Sequence, residues 1–376
     1  MTLGTRTAPP PPSPVDPARH PVADPAVEIR SQRRPTRDWA TLLAGKRFLV
    51  TGAAGFIGGH LFRTLSDLGL DVVGTALHQE EVQVLRRRGY RAEVLDLTSG
   101  EGWSPLLDGV DVVFNVAARF QEVSDDEAVY ERVNHHGALE LARSAVRAGV
   151  ERFVHCSTVG VHGNVRQVPA TEETPTNPMD GYHRTKLAGE RAILHMADGL
   201  PSDGPVVTVN RPAMVYGPGD RRMLKLFRRV LSGRFRMIGS GNVLAHLGHV
   251  DDQTESFLHC AVAPREAVHG EAFNIASGEP LTLNELVEVI ARSEGRTIPR
   301  GKVPVAPVWA AALACEVACR PFGLEPPLFR RRVGFFTHNR AFDLTKAEER
   351  LGYRSQWGHD EGIDDTIGWY RRVGWL

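Results

Sequence analysis

Tyr182 and Lys186 are the two residues whose types and spacing best suit proton transfer. If they lie on a helix, their i and i+4 positions share one face, with about 6 Å between the Cβ atoms. A free tyrosine has a pKa of about 10 and is a poor base at neutral pH, but a neighbouring ammonium stabilises its phenolate. The pair could therefore exchange a proton with a carbinol oxygen while a hydride moves to or from a nicotinamide coenzyme.

Hydroxyl groups at the end of a predicted strand could assist this chemistry. Ser157 and Thr158 follow an apolar run over residues 152–156, and a hydroxyl there could hold the substrate oxygen in line with Tyr182. The alternative is a pair of solvated turn hydroxyls. The nearby histidines lack metal-ligand spacing, and the four cysteines have neither metal-ligand nor disulfide spacing. We therefore expect no metal site and a reducing cytoplasm.

A glycine-rich turn comes earlier, in the stretch FLVTGAAGFIGGH at residues 48–60. Gly52 permits a tight turn, Gly55 lets the backbone approach a pyrophosphate, and Gly58 lets the following helix lie close to the strand. The free N–H groups of Phe56 and Ile57 at the helix start would then face the phosphates. Between an apolar strand and an amphipathic helix, this spacing favours a dinucleotide site over a structural turn.

Alternating strands and helices must position these residues. We predict strands over 48–50, 71–77, 91–95, 111–116, 152–156 and 206–210, and helices from 56 and over 80–88, 126–148 and 182–196. This alternation implies right-handed crossovers and a doubly wound parallel α/β sheet. Ligands of such sheets lie at the carboxyl ends of the strands. The segments at 52, 115–118 and 157–158 should therefore converge on one crevice.

The two ends of the chain follow different patterns. Residues 1–44 are proline-rich without apolar periodicity, so we expect a disordered tail there. The dinucleotide-binding domain should occupy residues 45–211, together with returning segments. Residues 212–376 mix short helices with brief strands such as 272–275, which suits a smaller, mixed α/β substrate-binding lobe. The apolar stretch at 305–319 is too short to span a bilayer and carries Glu316.

Several motifs occur in a fixed order along the chain: TGAAGFIG at 51–58, NVAA at 115–118, STVGVHG at 157–163, YHRTK at 182–186, RPAMVYGPGD at 211–220 and HVDD at 249–252. In this order they resemble the extended short-chain dehydrogenase/reductases, the group that holds the NAD-dependent epimerases and dehydratases. The resemblance covers about residues 45–374. Residues 323–353 look more like members of the hydroxysteroid dehydrogenase and dihydroflavonol reductase type.

The resemblance implies a Rossmann domain, a nicotinamide coenzyme and a catalytic triad of Thr158, Tyr182 and Lys186. It also implies that coenzyme contacts come from the glycine turn, from Tyr182 and Lys186, and from four further positions. These are Asp96 and Leu97 beside the adenine, Ala117 along the phosphate–ribose path, and Pro212 at the nicotinamide.

Three places depart from the family pattern. Members that prefer NAD carry an acid at the end of the second strand to bind the ribose diol. Ala76 stands there, and the missing carboxylate favours NADP, although no arginine is placed to bind its 2′-phosphate. Dehydratases carry an Asp-Glu pair where this chain has Val159 and Gly160. Nucleotide-sugar enzymes place an arginine where Ala245 and His246 stand, and its absence weakens the case for a pyrophosphate-bearing substrate.

Two functions remain open. The first is an NAD(P)-dependent oxidoreductase that interconverts a secondary alcohol and a ketone on a bulky substrate, with one net hydride transfer. The alternative is a nucleotide-sugar epimerase of the UDP-sugar 4-epimerase kind, in which the same residues and tightly held NAD return the hydride to the opposite face. A basic helix over 221–229 could meet an anion, but a solvated face is the interpretation that we favour.

Charge balance bears on the partners. Lys and Arg together number 45, as do Asp and Glu, so no overall charge attracts the chain to nucleic acid or to a membrane. We expect a small-molecule substrate, no membrane span and a cytoplasmic protein. Related proteins often pack two long helices from each chain into a four-helix bundle, which makes a homodimer through 126–148 and 182–196 a further expectation.

Overall fold

The computed structural model describes residues 36–100, 103–120, 127–298, 301–319, 326–328 and 330–376. The strands are β1 (Arg47–Thr51), β2 (Asp71–Ala76), β3 (Ala92–Val94), β4 (Val112–Asn115), β5 (Arg152–Cys156), β6 (Val206–Pro212), β7 (Met214–Tyr216), β8 (Met237–Ile238), β9 (Leu244–Ala245), β10 (Leu247–His249), β11 (Glu271–Ile275), β12 (Leu281–Thr282) and β13 (Lys302–Val303). The helices are α1 (Trp39–Leu42), α2 (Phe56–Asp67), α3 (Gln79–Arg87), α4 (Ser104–Leu107), α5 (Glu127–Tyr130), α6 (Ala138–Arg147), α7 (Gly181–Asp198), α8 (Leu224–Leu231), α9 (Val250–Val262), α10 (Arg265–Val268), α11 (Leu283–Arg292), α12 (Val305–Cys319), α13 (Arg330–Gly334) and α14 (His359–Arg372). π-Helical turns over Glu131–Gly137 and Ala347–Leu351 and a 3₁₀ turn over Val159–His162 complete the described elements.

Seven strands of the described residues form one parallel sheet, in the order β11-β6-β5-β4-β1-β2-β3. Both faces of this sheet are covered. Phe48 and Val50 of β1 pack with α2, α3 and α9, whereas Leu49 packs with α6 and α7, because successive side chains of a strand point to opposite faces. The strand order reverses between β1 and β4, and a ligand crevice is expected at this switch point. The predicted Rossmann-type doubly wound α/β fold is confirmed.

Residues 36–44 differ from the expectation of a disordered tail over 1–44. They contain α1, in which Trp39 is 1% exposed. The Trp39 indole N–H donates to Glu255 Oε1 on α9 at 3.2 Å, and Leu43 is buried in the same core. The prediction rested on the composition of the whole segment, whereas two apolar side chains at its end are enough to hold residues 36–44 against the domain. Residues 1–35 lie outside the described residues.

The long helix predicted over 126–148 is present over residues 127–147, but it contains a π-helical turn that was not predicted. Residue 126 lies outside the described residues, and the remainder divides into α5, a π-helical turn and α6. Asn134 in this turn is fully buried. Its Oδ1 accepts from the Arg119 N–H at 2.8 Å, and its Nδ2 donates to the Arg119 carbonyl at 3.1 Å. The widened i→i+5 turn thus contains an amide that binds the backbone of the segment after β4.

The second half of the chain contributes to both parts of the molecule. Strand β11 pairs with β6 and so belongs to the main sheet, although we had assigned 272–275 to the smaller lobe. A separate hydrophobic core lies among α8, α11 and α14, where Phe227, Ile290 and Ile367 are buried together. This core and the short strands around it form the smaller, mixed α/β lobe.

The apolar stretch at 305–319 forms helix α12, and this helix is mostly uncovered. Ala312 is the one fully buried side chain in this helix as described, and Trp309 and Val317 are exposed. Among the described residues, no helix has both the length and the apolar character that crossing a bilayer would require.

A buried ion pair joins α7 to the sheet. Arg211 in β6 donates from Nη2 to Glu190 Oε1 at 2.5 Å and from Nε to Glu190 Oε2 at 3.1 Å. The two side chains are 7% and 1% exposed. Such a bidentate pair fixes both the position and the rotation of a helix, and α7 carries Tyr182 and Lys186.

Glu190→Gln should destabilise the protein strongly, because it leaves the Arg211 guanidinium buried without a counter-charge. We expect the free energy of unfolding in urea to fall by about 3–5 kcal/mol. Replacing both partners, as Glu190→Leu with Arg211→Met, should cost less than this single change. Glu127→Gln serves as the matched control: it breaks the exposed Arg184–Glu127 pair and should cost below about 1 kcal/mol. A double variant less stable than Glu190→Gln would contradict this account.

Candidate active site

The glycine turn after β1 packs tightly against the segment after β4 and against the start of α2. Gly52 has a φ of 70°, and a Cβ there would lie 3.0 Å from the Ala117 Cα. A Cβ at Gly58 would lie 2.4 Å from the Gly52 carbonyl oxygen, so α2 rests directly on the turn. Among the described residues no side chain caps α2, which leaves the N–H groups of Phe56 and Ile57 available to an anion. The glycine turn and the N-terminus of α2 together form a cradle that fits a dinucleotide pyrophosphate.

Polar side chains form a ladder across the ends of three neighbouring strands. Thr51, Asn115 and His155 are paired in register across β1, β4 and β5. The Thr51 Oγ1 accepts from the N–H groups of Val116 and Ala117, both at 3.0 Å. Those bonds fill its two lone pairs, so its hydroxyl donates to Asn115 Oδ1 at 2.9 Å. The ladder therefore holds the segment after β4 against the glycine turn.

The hydrogen bonds of Asn115 also determine which ring nitrogen of His155 carries the proton. Because Asn115 Oδ1 faces Thr51, its Nδ2 donates to His155 Nδ1 at 3.2 Å. Complete burial, with Lys186 nearby, keeps the pKa of His155 well below its usual value, so the ring is neutral and its proton lies on Nε2. That N–H faces Lys186 Nζ at 3.5 Å, where an uncharged amine can accept it and an ammonium cannot.

Lys186 is buried at the inner end of this ladder. It is 1% exposed, and its Nζ donates to the Cys156 carbonyl at the end of β5 at 2.6 Å. Burial lowers the pKa of Lys186, although the Cys156 and Glu190 charges oppose the change.

Tyr182 lies one turn before Lys186 on the same face of α7. Asp180 caps this helix, with its Oδ1 accepting from the His183 N–H at 2.8 Å. The ring of Tyr182 packs edge-on against Phe120, with centroids 4.8 Å apart, and against Tyr130 at 6.5 Å. The rings of Phe120, Tyr130 and Tyr182 form what we call the aromatic wall, beside the segment that follows β4.

Thr158 begins the 3₁₀ turn after β5, and its Oγ1 accepts from the Gly160 N–H at 3.1 Å. A Cβ at Gly160 would lie 2.2 Å from the ring of His183, so this turn packs directly on the first turn of α7, which carries Tyr182. The neighbouring Ser157 Oγ is buried without a partner among the described residues. A substrate or coenzyme atom could satisfy that hydroxyl.

The remaining predicted coenzyme positions lie at the same edge of the sheet. Asp96 follows β3, and its Oδ1 accepts from the Thr98 N–H at 2.8 Å. Leu97 packs closely on the end of the π-helical turn, because a Cβ added at Gly137 would lie 2.4 Å from the Leu97 carbonyl oxygen. Pro212 ends β6 opposite Ile275. These positions follow or end β3 and β6 at the carboxyl edge of the parallel sheet.

Two residues near the crevice were not identified from the sequence. The sequence assigns His155 no role, and its one signal is a polar side chain inside a buried strand. Arg222 had been placed in a solvated helix, but α8 begins only at Leu224. The Arg222 guanidinium carbon lies 5.6 Å from the ring centroid of Phe56 and 5.9 Å from that of Phe120. It therefore lies between the glycine turn and the aromatic wall.

This fold and cradle define a Rossmann-type dinucleotide-binding enzyme. The family described as the NAD dependent epimerase/dehydratase family matches residues 48–276, and the chain belongs to that family. The family resemblance noted from the motifs is confirmed.

Full-length relatives and solved structures agree with this assignment. The chain is 26% identical to a 3-beta-hydroxysteroid dehydrogenase of Mycolicibacterium neoaurum, over 86% of this chain and 91% of that protein. It is 27% identical to the decarboxylating sterol-4-alpha-carboxylate 3-dehydrogenase of Saccharomyces cerevisiae, over 85% of this chain and 97% of that protein. The structure of MoeE5 in complex with UDP-glucose and NAD is similar, with a TM-score of 0.68, 27% identity, and coverage of 87% of this chain and 99% of that one.

Thr51→Val should test the polar ladder with little change of shape. The valine cannot accept from the two N–H groups or donate to Asn115, so we expect a loss of about 1–3 kcal/mol in the free energy of unfolding. Coenzyme affinity should also fall, because the Ala117 N–H is no longer held beside the glycine turn. Urea denaturation and coenzyme titration measure the two effects. Thr51→Ser keeps the hydroxyl and should lose less of both; equal losses in the two variants would contradict the ladder.

Proposed function

We propose that this enzyme is an NAD(P)-dependent oxidoreductase that interconverts a secondary alcohol and a ketone on a bulky, lipophilic substrate. The observation that carries the choice of substrate class is the local structure at Ala245 and His246. Both are buried. The His246 Nε2 bonds the Gly278 carbonyl at 2.8 Å, and its Nδ1 accepts from the Phe342 N–H at 3.3 Å. This place, where nucleotide-sugar enzymes carry an arginine, is thus filled by a structural histidine and an alanine.

Each reacting residue has a proposed role. Tyr182 exchanges a proton with the carbinol oxygen, and Thr158 holds that oxygen in line with the phenol. Lys186, buried one helical turn from the phenol, stabilises the phenolate through its charge. Bound coenzyme supplies the hydride acceptor or donor. The relatives support this proposal, since two of them are named as hydroxysteroid and sterol dehydrogenases.

A nucleotide-sugar epimerase is the second candidate. The similarity to MoeE5 in complex with UDP-glucose and NAD favours it, and the same three residues could perform its chemistry. The two candidates differ in the fate of the coenzyme. A dehydrogenase converts one coenzyme for each substrate, whereas an epimerase returns the hydride and leaves the coenzyme unchanged.

Purified protein incubated with oxidised coenzyme and a 3β-hydroxysteroid should produce ketone and reduced coenzyme in equal amounts, measured by near-ultraviolet absorbance and chromatography. UDP-glucose should give neither reduced coenzyme nor UDP-galactose. Epimerised sugar without net reduction would replace this proposal with the second candidate.

Tyr182→Phe should lower turnover at least about a hundredfold, because the proton-transferring hydroxyl is lost. Coenzyme affinity, followed by fluorescence titration, should change little. Tyr90→Phe removes a hydroxyl from the connection between α3 and β3 and should behave as wild type. Unchanged turnover in Tyr182→Phe would exclude the mechanism, whatever the substrate proves to be.

We also propose that NADP is preferred over NAD. Ala76 ends β2 without a carboxylate for the ribose diol, and Leu77 after it is 47% exposed. Glu81 accepts from the His78 N–H at 3.2 Å and so caps α3. Against this preference stands the NAD in the MoeE5 complex.

Comparing kcat/KM for the two coenzymes tests the preference, and a tenfold advantage for NAD would overturn it. Leu77→Arg should raise kcat/KM for NADP about tenfold through a charge-assisted bond to the 2′-phosphate, and should leave NAD nearly unaffected. Leu77→Gln, which introduces a polar side chain without a charge, is the matched control. It should change the ratio of kcat/KM for NADP to kcat/KM for NAD much less.

A further inference from the structure

The π-helical turn over Glu131–Gly137 creates a cluster of side chains that ordinary helical spacing would separate. In an α-helix, residues at i and i+5 lie on different faces, but i→i+5 hydrogen bonding brings them one above the other. Glu131 and His136 have this spacing, and His135 lies beside them at i+4. From the spacing of the cysteines and of the histidines near β5, we expected no metal site.

Three potential ligand atoms converge at this turn. His135 Nδ1 contacts Glu131 Oε1, and His136 Nε2 lies 3.7 Å from the same oxygen. The two imidazole rings are stacked, with centroids 4.4 Å apart and planes inclined by 23°. One ligand atom from each residue lies within 4.8 Å of the others, and no other group of three or more such residues in the described ranges meets this criterion.

We propose that Glu131, His135 and His136 form a binding site for a divalent transition-metal ion of the Zn²⁺ type. Two imidazoles and one carboxylate are a donor set that suits Zn²⁺. Tetrahedral bonds of about 2.0–2.2 Å would set the ligand atoms about 3.3 Å apart. The His136–Glu131 separation is already close to this value. Because the lone pairs of an imidazole lie in its ring plane, the site forms when the two stacked rings rotate so that both planes meet at the ion. One carboxylate is too few oxygen ligands for Ca²⁺ or Mg²⁺.

The position of the cluster makes it both accessible and connected to the crevice. The side chains of Glu131, His135 and His136 are 38%, 23% and 65% exposed. Asn134, between them in sequence, is buried and bonded to the Arg119 backbone. Arg119 immediately precedes Phe120, whose ring packs on Tyr182. A metal ion that cross-links this turn would therefore stiffen the support of the aromatic wall. The binding itself does not depend on the proposed function.

Zn²⁺ titration of the full chain, untagged and stripped of metal with a chelator, tests the site. A chromophoric chelator in competition should report one Zn²⁺ per chain, and Zn²⁺ should raise the melting temperature by mass action. His136→Gln should weaken binding at least about tenfold, as the loss of one of three ligands implies. Its side chain is largely exposed, so folding should be unaffected. Glu131→Gln should have a similar effect, and Mg²⁺ should not compete.

His195→Gln is the matched control, since His195 is an exposed histidine on neighbouring α7 outside the cluster. It should bind Zn²⁺ as wild type does. The proposal is overturned if wild type binds Zn²⁺ no more tightly than His136→Gln, or if His195→Gln loses as much affinity as the cluster variants.

Discussion

The burial of Lys186 is the constraint on which the arrangement of the crevice depends. Removing an amine from water costs several kcal/mol if it stays charged, unless fixed partners replace the solvent. The Cys156 carbonyl, 2.6 Å away at the end of β5, is such a partner. Helix α7 can bring its lysine to that carbonyl in one rotation only, and the Arg211–Glu190 pair holds the same rotation from the next strand. Tyr182 is then set one turn away, against the aromatic wall.

The ladder of Thr51, Asn115 and His155 extends this constraint to the coenzyme cradle. Each of the three is at or next to the end of a strand, and parallel register makes them neighbours. Each donor in the ladder has an acceptor only if Thr51 donates to Asn115 and Asn115 donates to His155. The glycine turn, the segment after β4 and the reacting lysine therefore have fixed relative positions before any ligand binds, which is the preorganisation that catalysis favours.

Much of this could be predicted from single-chain patterns. Apolar runs and glycine spacing predicted all seven sheet strands within a few residues, although 272–275 was assigned to the smaller lobe, and the i, i+4 spacing placed Tyr182 and Lys186 on one face. The failures share a physical cause. The polar ladder depends on register between strands, the π-helical turn depends on the burial of Asn134, and α1 and β11 depend on partners distant in sequence. Local periodicity contains no information about any of these contacts.

Arg222 shows why a positive charge near the crevice does not by itself indicate a nucleotide-sugar substrate. Its Nε donates to Asp220 Oδ1 at 3.1 Å, and its Nη2 donates to the Val215 carbonyl at 2.8 Å. Asp220 is 1% exposed and neutralises it, and the rings of Phe56 and Phe120 flank the guanidinium. Two of its five N–H donors are therefore engaged, and its charge is paired with a buried carboxylate before any ligand binds. A paired guanidinium between two aromatic rings is consistent with the lipophilic substrate proposed above.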